Sequence, residues 1–236
     1  SLLKADRMCQ LLGMNGNTPT DIVFSFTGFS TRAEEHQDGF GIAFFEGAGL
    51  RLFVDAQSAR HSPVADLVRH YPIHSNNVIA HIRKATQGRI ALENTHPFVR
   101  ELWGRYWAFA HNGNLTGYAP RLHASFHPVG DTDSERAFCW LMQELAKAHA
   151  SLPPVAELTA TLRELAPQVA AHGSFNFMLS HSEALWAGRG ATALAVADAG
   201  VEPAIEHVGN QVEEDHETTE DEGDCHDHRR VVAQDG

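Results

Sequence analysis

Thr132-Asp133-Ser134-Glu135-Arg136-Ala137-Phe138-Cys139-Trp140-Leu141-Met142-Gln143-Glu144-Leu145 decides how the rest of the chain is read. A hydroxyl three residues ahead of a Glu is the capping-box pattern of a helix start. Phe138, Leu141, Met142 and Leu145 then recur at helical spacing, so a long helix begins here. Toward the C-terminus, Leu158, Leu162, Leu165 and Val169 make a second helical stripe after Pro153-Pro154, with Pro167 expected to kink or end it. Short apolar runs flank this helical pair: Val78–Ile82 and Tyr106–Ala110 before it, Phe175–Leu179 and Ala184–Ala187 after it. Each reads as a buried strand. Strands, two helices and strands again indicate an α+β protein in layers.

Further out, Gly41–Phe45 and Leu50–Val54 flank Glu46-Gly47-Ala48-Gly49, which predicts a β-hairpin. Ser62-Pro63 predicts a capped helix start, and Thr18-Pro19 before Asp21-Ile22-Val23-Phe24-Ser25-Phe26 predicts another. Beyond Ala187 the pattern fades into small residues, and an acidic tail without regular structure is expected from residue 201.

The 236 residues are 43% hydrophobic and 20% charged, enough for a sizeable core in one domain and too few for a large multidomain synthase. The formal charge is −12, of which residues 201–236 carry −10 through twelve Asp/Glu and two Arg. A basic footprint for nucleic acid is lacking, and no nucleic-acid or membrane partner is expected. Cys9, Cys139 and Cys225 are odd in number and widely spaced, which fits neither a disulfide framework nor a paired zinc site. A reducing, cytoplasmic location is expected, with no metal and no cofactor.

Met8-Cys9 opens a short apolar run, Cys9-Gln10-Leu11-Leu12. Were Cys9 the first residue, it would combine a thiol nucleophile with its own α-amine, a base of ordinary pKa about 7.7–8.0. Taken singly, such a Cys also reads as a small buried hydrophobe. Four further motifs follow: His81-Ile82-Arg83-Lys84-Ala85-Thr86-Gln87-Gly88, Glu93-Asn94-Thr95-His96-Pro97-Phe98, His111-Asn112-Gly113-Asn114-Leu115 and Gly130-Asp131-Thr132-Asp133-Ser134-Glu135. Each alone has a plain reading: Arg83 a surface charge, Asn112-Gly113 a turn, Asp133 a helix cap.

In this order the five resemble the glutaminase domain of class II glutamine amidotransferases, which are N-terminal-nucleophile hydrolases. Phe24-Ser25-Phe26-Thr27-Gly28, His36-Gln37-Asp38-Gly39-Phe40-Gly41 and Glu101-Leu102-Trp103-Gly104 are similar to the small stand-alone bacterial proteins of the YafJ type. The resemblance runs from Met8 to Trp186. It implies a four-layer αββα sandwich, with the departure after Trp186 leaving sheet edges incomplete. It also implies residues 1–8 as a leader or propeptide, 9–200 as the amidotransferase domain and 201–236 as the tail.

The implied activity is hydrolysis of glutamine to glutamate and ammonia through a Cys9 γ-glutamyl thioester, once Cys9 has a free α-amine. The resemblance assigns the oxyanion donors to Asn112 and the Gly113 N–H, the substrate carboxylate to Arg83 and its ammonium to Asp133. Gly113, Asp38 and Gly39 assist the ammonium site, and Thr86 and His96 line the pocket. A separate synthase would take the ammonia. Two other functions stay open: a hydrolase of γ-glutamyl peptides or conjugates, and a catalytically silent binding domain. His81, His111 and Cys139 read as packed core residues. Cys225-His226-Asp227-His228 has ligand chemistry without a second cluster.

Overall fold

A computed structural model describes residues 10–21, 38–83, 88–191, 193–198 and 204–208. Among the described residues, ten strands form two five-stranded antiparallel sheets, and three α-helices lie outside them. The first sheet takes β1 (Gln10–Asp21), β2 (Phe40–Glu46), β3 (Gly49–Asp55), β4 (His74–Ile82) and β10 (Ala204–Val208), ordered β10-β1-β4-β2-β3. The second runs β5 (Phe98–Leu102), β6 (Arg105–Leu115), β7 (Gly173–His181), β8 (Ala184–Arg189) and β9 (Ala193–Asp198) in chain order. Helix α1 (Pro63–His70) packs on the first sheet; α2 (Asp133–Ala148) and α3 (Val155–Ala170) cover the second.

Period-two alternation along β1, β2, β4, β6, β7 and β8 divides their buried apolar residues among three cores, which makes the four layers. On the outer faces the residues are large. Phe40, Ile42, Phe44, Val78, Ala80 and Ile82 pack with Ala65 and Val68 of α1. Trp107, Phe109, Phe175, Phe177, Leu179 and Trp186 pack with Phe138, Leu141, Leu158 and Leu162 of α2 and α3. Between the sheets the intervening residues are smaller, among them Ala43, Ala108, Ala110 and Ala187 beside Leu11, Ile79 and Met178. A Cβ on Gly13 would lie 2.7 Å from the Met178 sulfur, so Gly13 lets the sheets approach.

The hairpin, both flanking helices and four apolar strands match the sequence expectations, with α1 capped by Ser62 Oγ on the Val64 and Ala65 N–H groups. Several expectations are corrected. Thr18-Pro19 is part of β1 rather than a helix start, and Pro19 falls between Asn15 and Thr20, where the pairing with β4 shifts and no ladder N–H is asked of it; the helix expected through Phe26 falls otherwise on residues outside the described ones. Residues 22–37 lie outside the described residues. Pro167 does not stop α3, which runs one turn further to Ala170. The capping box is half formed. Thr132 Oγ1 accepts from the Glu135 N–H, but the Glu135 carboxylate accepts from Val129 and Gly130, where the preceding loop folds back over the helix start. Finally, the sheets do not stop at Ala187. Strand β9 extends the second sheet, and Ala204–Val208, expected in the unstructured tail, pair with Leu11–Asn15 as β10. Residues 209–236 lie outside the described residues.

Candidate active site

Antiparallel registry brings the motif-bearing chain ends to one end of the sandwich. Ile82 pairs with both Gln10 and Phe40, so the start of β1, the end of β4 and the start of β2 meet in adjacent strands. The next residue, Arg83, is only 3% exposed, and its N–H donates to the Gly39 carbonyl at 2.8 Å. Gly39 has φ +110°, and a Cβ there would stand 2.8 Å from the Asp55 carbonyl oxygen, so glycine is required on both counts. Asp38 is half-buried immediately before it. The Arg83 guanidinium donates from Nη1 to the Arg89 carbonyl at 3.1 Å, with a longer 3.5 Å contact from Nη2 to the Gly88 carbonyl. These bonds orient its planar fork.

Across the sandwich, β6 carries His111, Asn112 and Gly113 toward the same end. Asn112 is buried, on the strand face that Ala108 and Ala110 turn to the first sheet. His111 faces the other way, to α2: its Nδ1 lies 2.8 Å from Ser134 Oγ and its Nε2 3.0 Å from the Ser174 carbonyl. A carbonyl only accepts, so Nε2 carries the proton, and in the neutral ring Nδ1 accepts from the Ser134 hydroxyl. Gly113 sits under this bond. A Cβ there would be 1.9 Å from the Ser174 carbonyl oxygen and 2.6 Å from His111 Nε2, leaving no room for any side chain.

Asp133 is the first residue of α2 and is nearly buried. One carboxylate oxygen accepts from the Leu115 N–H at 2.7 Å, just past the Asn112-Gly113 pair; the other accepts from the Ser134 N–H at 2.8 Å. The Ser134 hydroxyl approaches that second oxygen at 3.3 Å. A carboxylate has about four lone-pair sites, so these contacts fix its position and leave capacity for a cation.

His96 stands between these groups. Its ring packs edge-on against His81 at 4.4 Å and lies tilted against Phe98 at 4.5 Å. Burial pushes its pKa well below the ordinary 6.5, and the neighbouring His81, His111 and Arg83 push the same way. It is a neutral imidazole, and neither ring nitrogen has a hydrogen-bond partner among the described residues. The His96 carbonyl crosses close over β2, 2.2 Å from where a Cβ on Gly41 would be, so the loop before β5 can lie here only over glycine. Burial likewise lowers the His111 pKa, opposed by its bond to Ser174 and by Asp133.

Of the nine site residues expected from sequence, Arg83, Asp38, Gly39, His96, Asn112, Gly113 and Asp133 come to this end, while Cys9 and Thr86 lie outside the described residues. Asn94 was not among them, although it belongs to a quoted motif; it is fully buried and joins two of the loops. His81 and His111 are core residues, as read. Cys139 is buried with its sulfur 3.7 Å from the Arg100 guanidinium, and burial raises its thiol pKa. Among the described residues no His, Cys, Asp or Glu group is arranged to hold a metal, and no helix is long and apolar enough to cross a membrane.

The family described as class II glutamine amidotransferases matches residues 8–202. A "Putative glutamine amidotransferase" of Haemophilus influenzae is 54% identical over 179 residues, 75% of this chain and 61% of that one. The "Putative glutamine amidotransferase YafJ" of Escherichia coli is 52% identical over 177 residues, 73% of this chain and 69% of that one. The chain thus spans about three fifths to two thirds of the length of these relatives. A crystal structure of a "predicted glutamine amidotransferase" from Pseudomonas aeruginosa superposes with a TM-score of 0.61 at 38% identity, covering 77% of this chain and 72% of that one.

Proposed function

The chain belongs to the class II glutamine amidotransferases, and we propose that it hydrolyses the γ-amide of glutamine to glutamate and ammonia through a thioester on Cys9. The observation that carries this is the meeting of Arg83, Asn112-Gly113 and Asp133 at the sheet ends where β1 begins, one residue after Cys9. Arg83 suits the substrate α-carboxylate, because a guanidinium fork binds two oxygens at once. Asp133, held by the Leu115 and Ser134 N–H groups, suits the α-ammonium. In this reading Asp38, Gly39 and His96 border that pocket, and the family pattern adds Thr86, which lies outside the described residues.

In this reading the Cys9 thiolate attacks the γ-carbonyl carbon, its thiol proton having passed to the α-amine. The Asn112 amide and Gly113 N–H stabilise the oxyanion of the tetrahedral intermediate. Collapse breaks the C–N bond, the α-ammonium returns the proton to the leaving nitrogen, and ammonia departs. Water, deprotonated by the same amine, then adds to the thioester carbonyl; the C–S bond breaks, glutamate is released, and the Cys9 sulfur takes back the proton from the α-ammonium. In this sequence Met8 precedes Cys9, so the mechanism requires cleavage of that peptide bond.

Domain limits of 9–200, with β10 pairing back from beyond them, accompany this proposal. A separate synthase would use the ammonia in a reducing, cytoplasmic setting. Arg83 and Asp133 read only the glutamyl head, which also favours γ-glutamyl peptides or conjugates as a second substrate class. The test is hydroxylamine trapping: the protein beginning at Cys9 should convert glutamine to γ-glutamyl hydroxamate, and Cys9→Ser should not. Equal hydroxamate from both would exclude the thioester.

A further inference from the structure

Asn94 lies in a single 3-10 turn (Leu92–Asn94), fully buried, and uses its whole amide on two loops. Its Nδ2 donates to the Arg89 carbonyl at 2.9 Å and to Asp131 Oδ1 at 2.7 Å; its Oδ1 accepts from the Asp131 N–H at 3.0 Å. The Arg89 carbonyl is the same oxygen that takes Arg83 Nη1 at 3.1 Å. Asp131 lies two residues before Asp133, with the capping Thr132 between them. One amide therefore connects the loop that aims Arg83 to the loop that delivers Asp133.

The surroundings are built to keep it there. A Cβ on Gly130 would fall 2.1 Å from Asn94 Oδ1, and one on Gly88, at φ +75°, would fall 2.7 Å from Asp131 Oδ1. Outside the amide, the Arg89 side chain pairs with Glu93 at 3.1 Å and approaches the other Asp131 oxygen at 3.7 Å. The Asn94 bond is the largest influence lowering the Asp131 pKa.

We propose that Asn94 is a positioning residue that sets the separation of Arg83 and Asp133, and so makes the site select ligands carrying both an α-carboxylate and an α-ammonium. This rests on the reading of those two residues as the head-group readers. A ligand with only one charge engages one reader and is indifferent to the distance between them. A ligand with both requires the spacing to be right before it arrives, because otherwise binding must reorganise the loops.

Asn94→Asp keeps the shape but sets a carboxylate oxygen against the Arg89 carbonyl and the Asp131 carboxylate. Asn94→Asp with Asp131→Asn restores a donor between positions 94 and 131 with reversed polarity. The full chain is used, and equilibrium binding is measured by calorimetry for L-glutamine, glutaramate (no ammonium) and 4-aminobutanamide (no carboxylate). Asn94→Asp should weaken glutamine about tenfold or more while changing the two single-charge amides by less than about twofold, and the double variant should recover much of the loss. Equal weakening of all three ligands, as a general loosening of the fold would give, or no weakening of glutamine, overturns the proposal. Arg83→Ala separates this from the underlying reading: it should weaken glutaramate and spare 4-aminobutanamide. Failure of that selectivity refutes the head-group assignment itself, whatever Asn94→Asp does.

Discussion

Acid should destabilise this fold through a side chain far in sequence from the site motifs, His181. Its ring is 1% exposed at the end of β7, edge-on to Trp107 at 4.8 Å and to Trp186 at 5.2 Å. Burial lowers its pKa from 6.5 to about 4, with Arg105 acting in the same direction and Glu183 against it. The unfolded chain therefore takes up this proton first as pH falls. Its contribution is flat above the unfolded value, and stability is lost through the window from 6.5 down to about 4. Linkage over that window gives a loss of about 2 kcal/mol between about pH 7.5 and about pH 5 from this one ring. His181→Phe keeps an aromatic side chain between the tryptophans and removes the titration. It also removes the Nδ1 acceptor of the Glu183 N–H, at about 1 kcal/mol independent of pH. Urea unfolding of both proteins across this range reads the difference, because the depressed His96 and His111 act in each and cancel. The variant's stability should fall about 2 kcal/mol less than wild type on acidification. Parallel pH profiles would refute the buried, neutral His181.

Gly113→Ala should lower glutamine turnover by about a hundredfold or more, because its Cβ forces β6 from β7 beneath the oxyanion donors; turnover and thermal midpoint both near wild type would contradict the geometry. Asn77→Ala should cost about 2–4 kcal/mol, since Asn77 crosses between the sheets from β4 to the His181 and Ala184 carbonyls and accepts from Ser180 Oγ. Chemical denaturation checks this, and an unchanged midpoint would show that the cross-sheet bonds add nothing.

The α+β layering was legible in the helical stripe of Phe138, Leu141, Met142 and Leu145 on α2 and in the short apolar runs of β6 and β7, while the four-layer sandwich was implied by the family resemblance. Strands β9 and β10 were hard to see. Ala-Leu-Ala-Val-Ala-Asp and Ala-Ile-Glu-His-Val are small or partly charged edge strands, defined by partners distant in sequence rather than by their own pattern. Thr18-Pro19 carries the residues of a helix start yet lies in β1, where a proline is tolerated because the ladder already breaks. Glu135 has the capping spacing, but Arg100, 2.5 Å away, and the loop at Val129 and Gly130 claim its carboxylate. Arg83, Asn112 and Asp133 could be picked out because the motifs that hold them resemble the class II amidotransferase pattern in order, with Arg83 just past β4, Asn112 within β6 and Asp133 at the start of α2. Asn94 could not: nothing at its own position in the sequence shows that residues 89 and 131 meet there.

Glutamate release from glutamine by two purified proteins, one beginning at Ser1 and the other at Cys9 with its free α-amine verified by mass, tests the central claim most directly. The account predicts turnover in the second protein only, abolished by Cys9→Ser. No glutamate from a folded protein beginning at Cys9, or equal release from both, would contradict it.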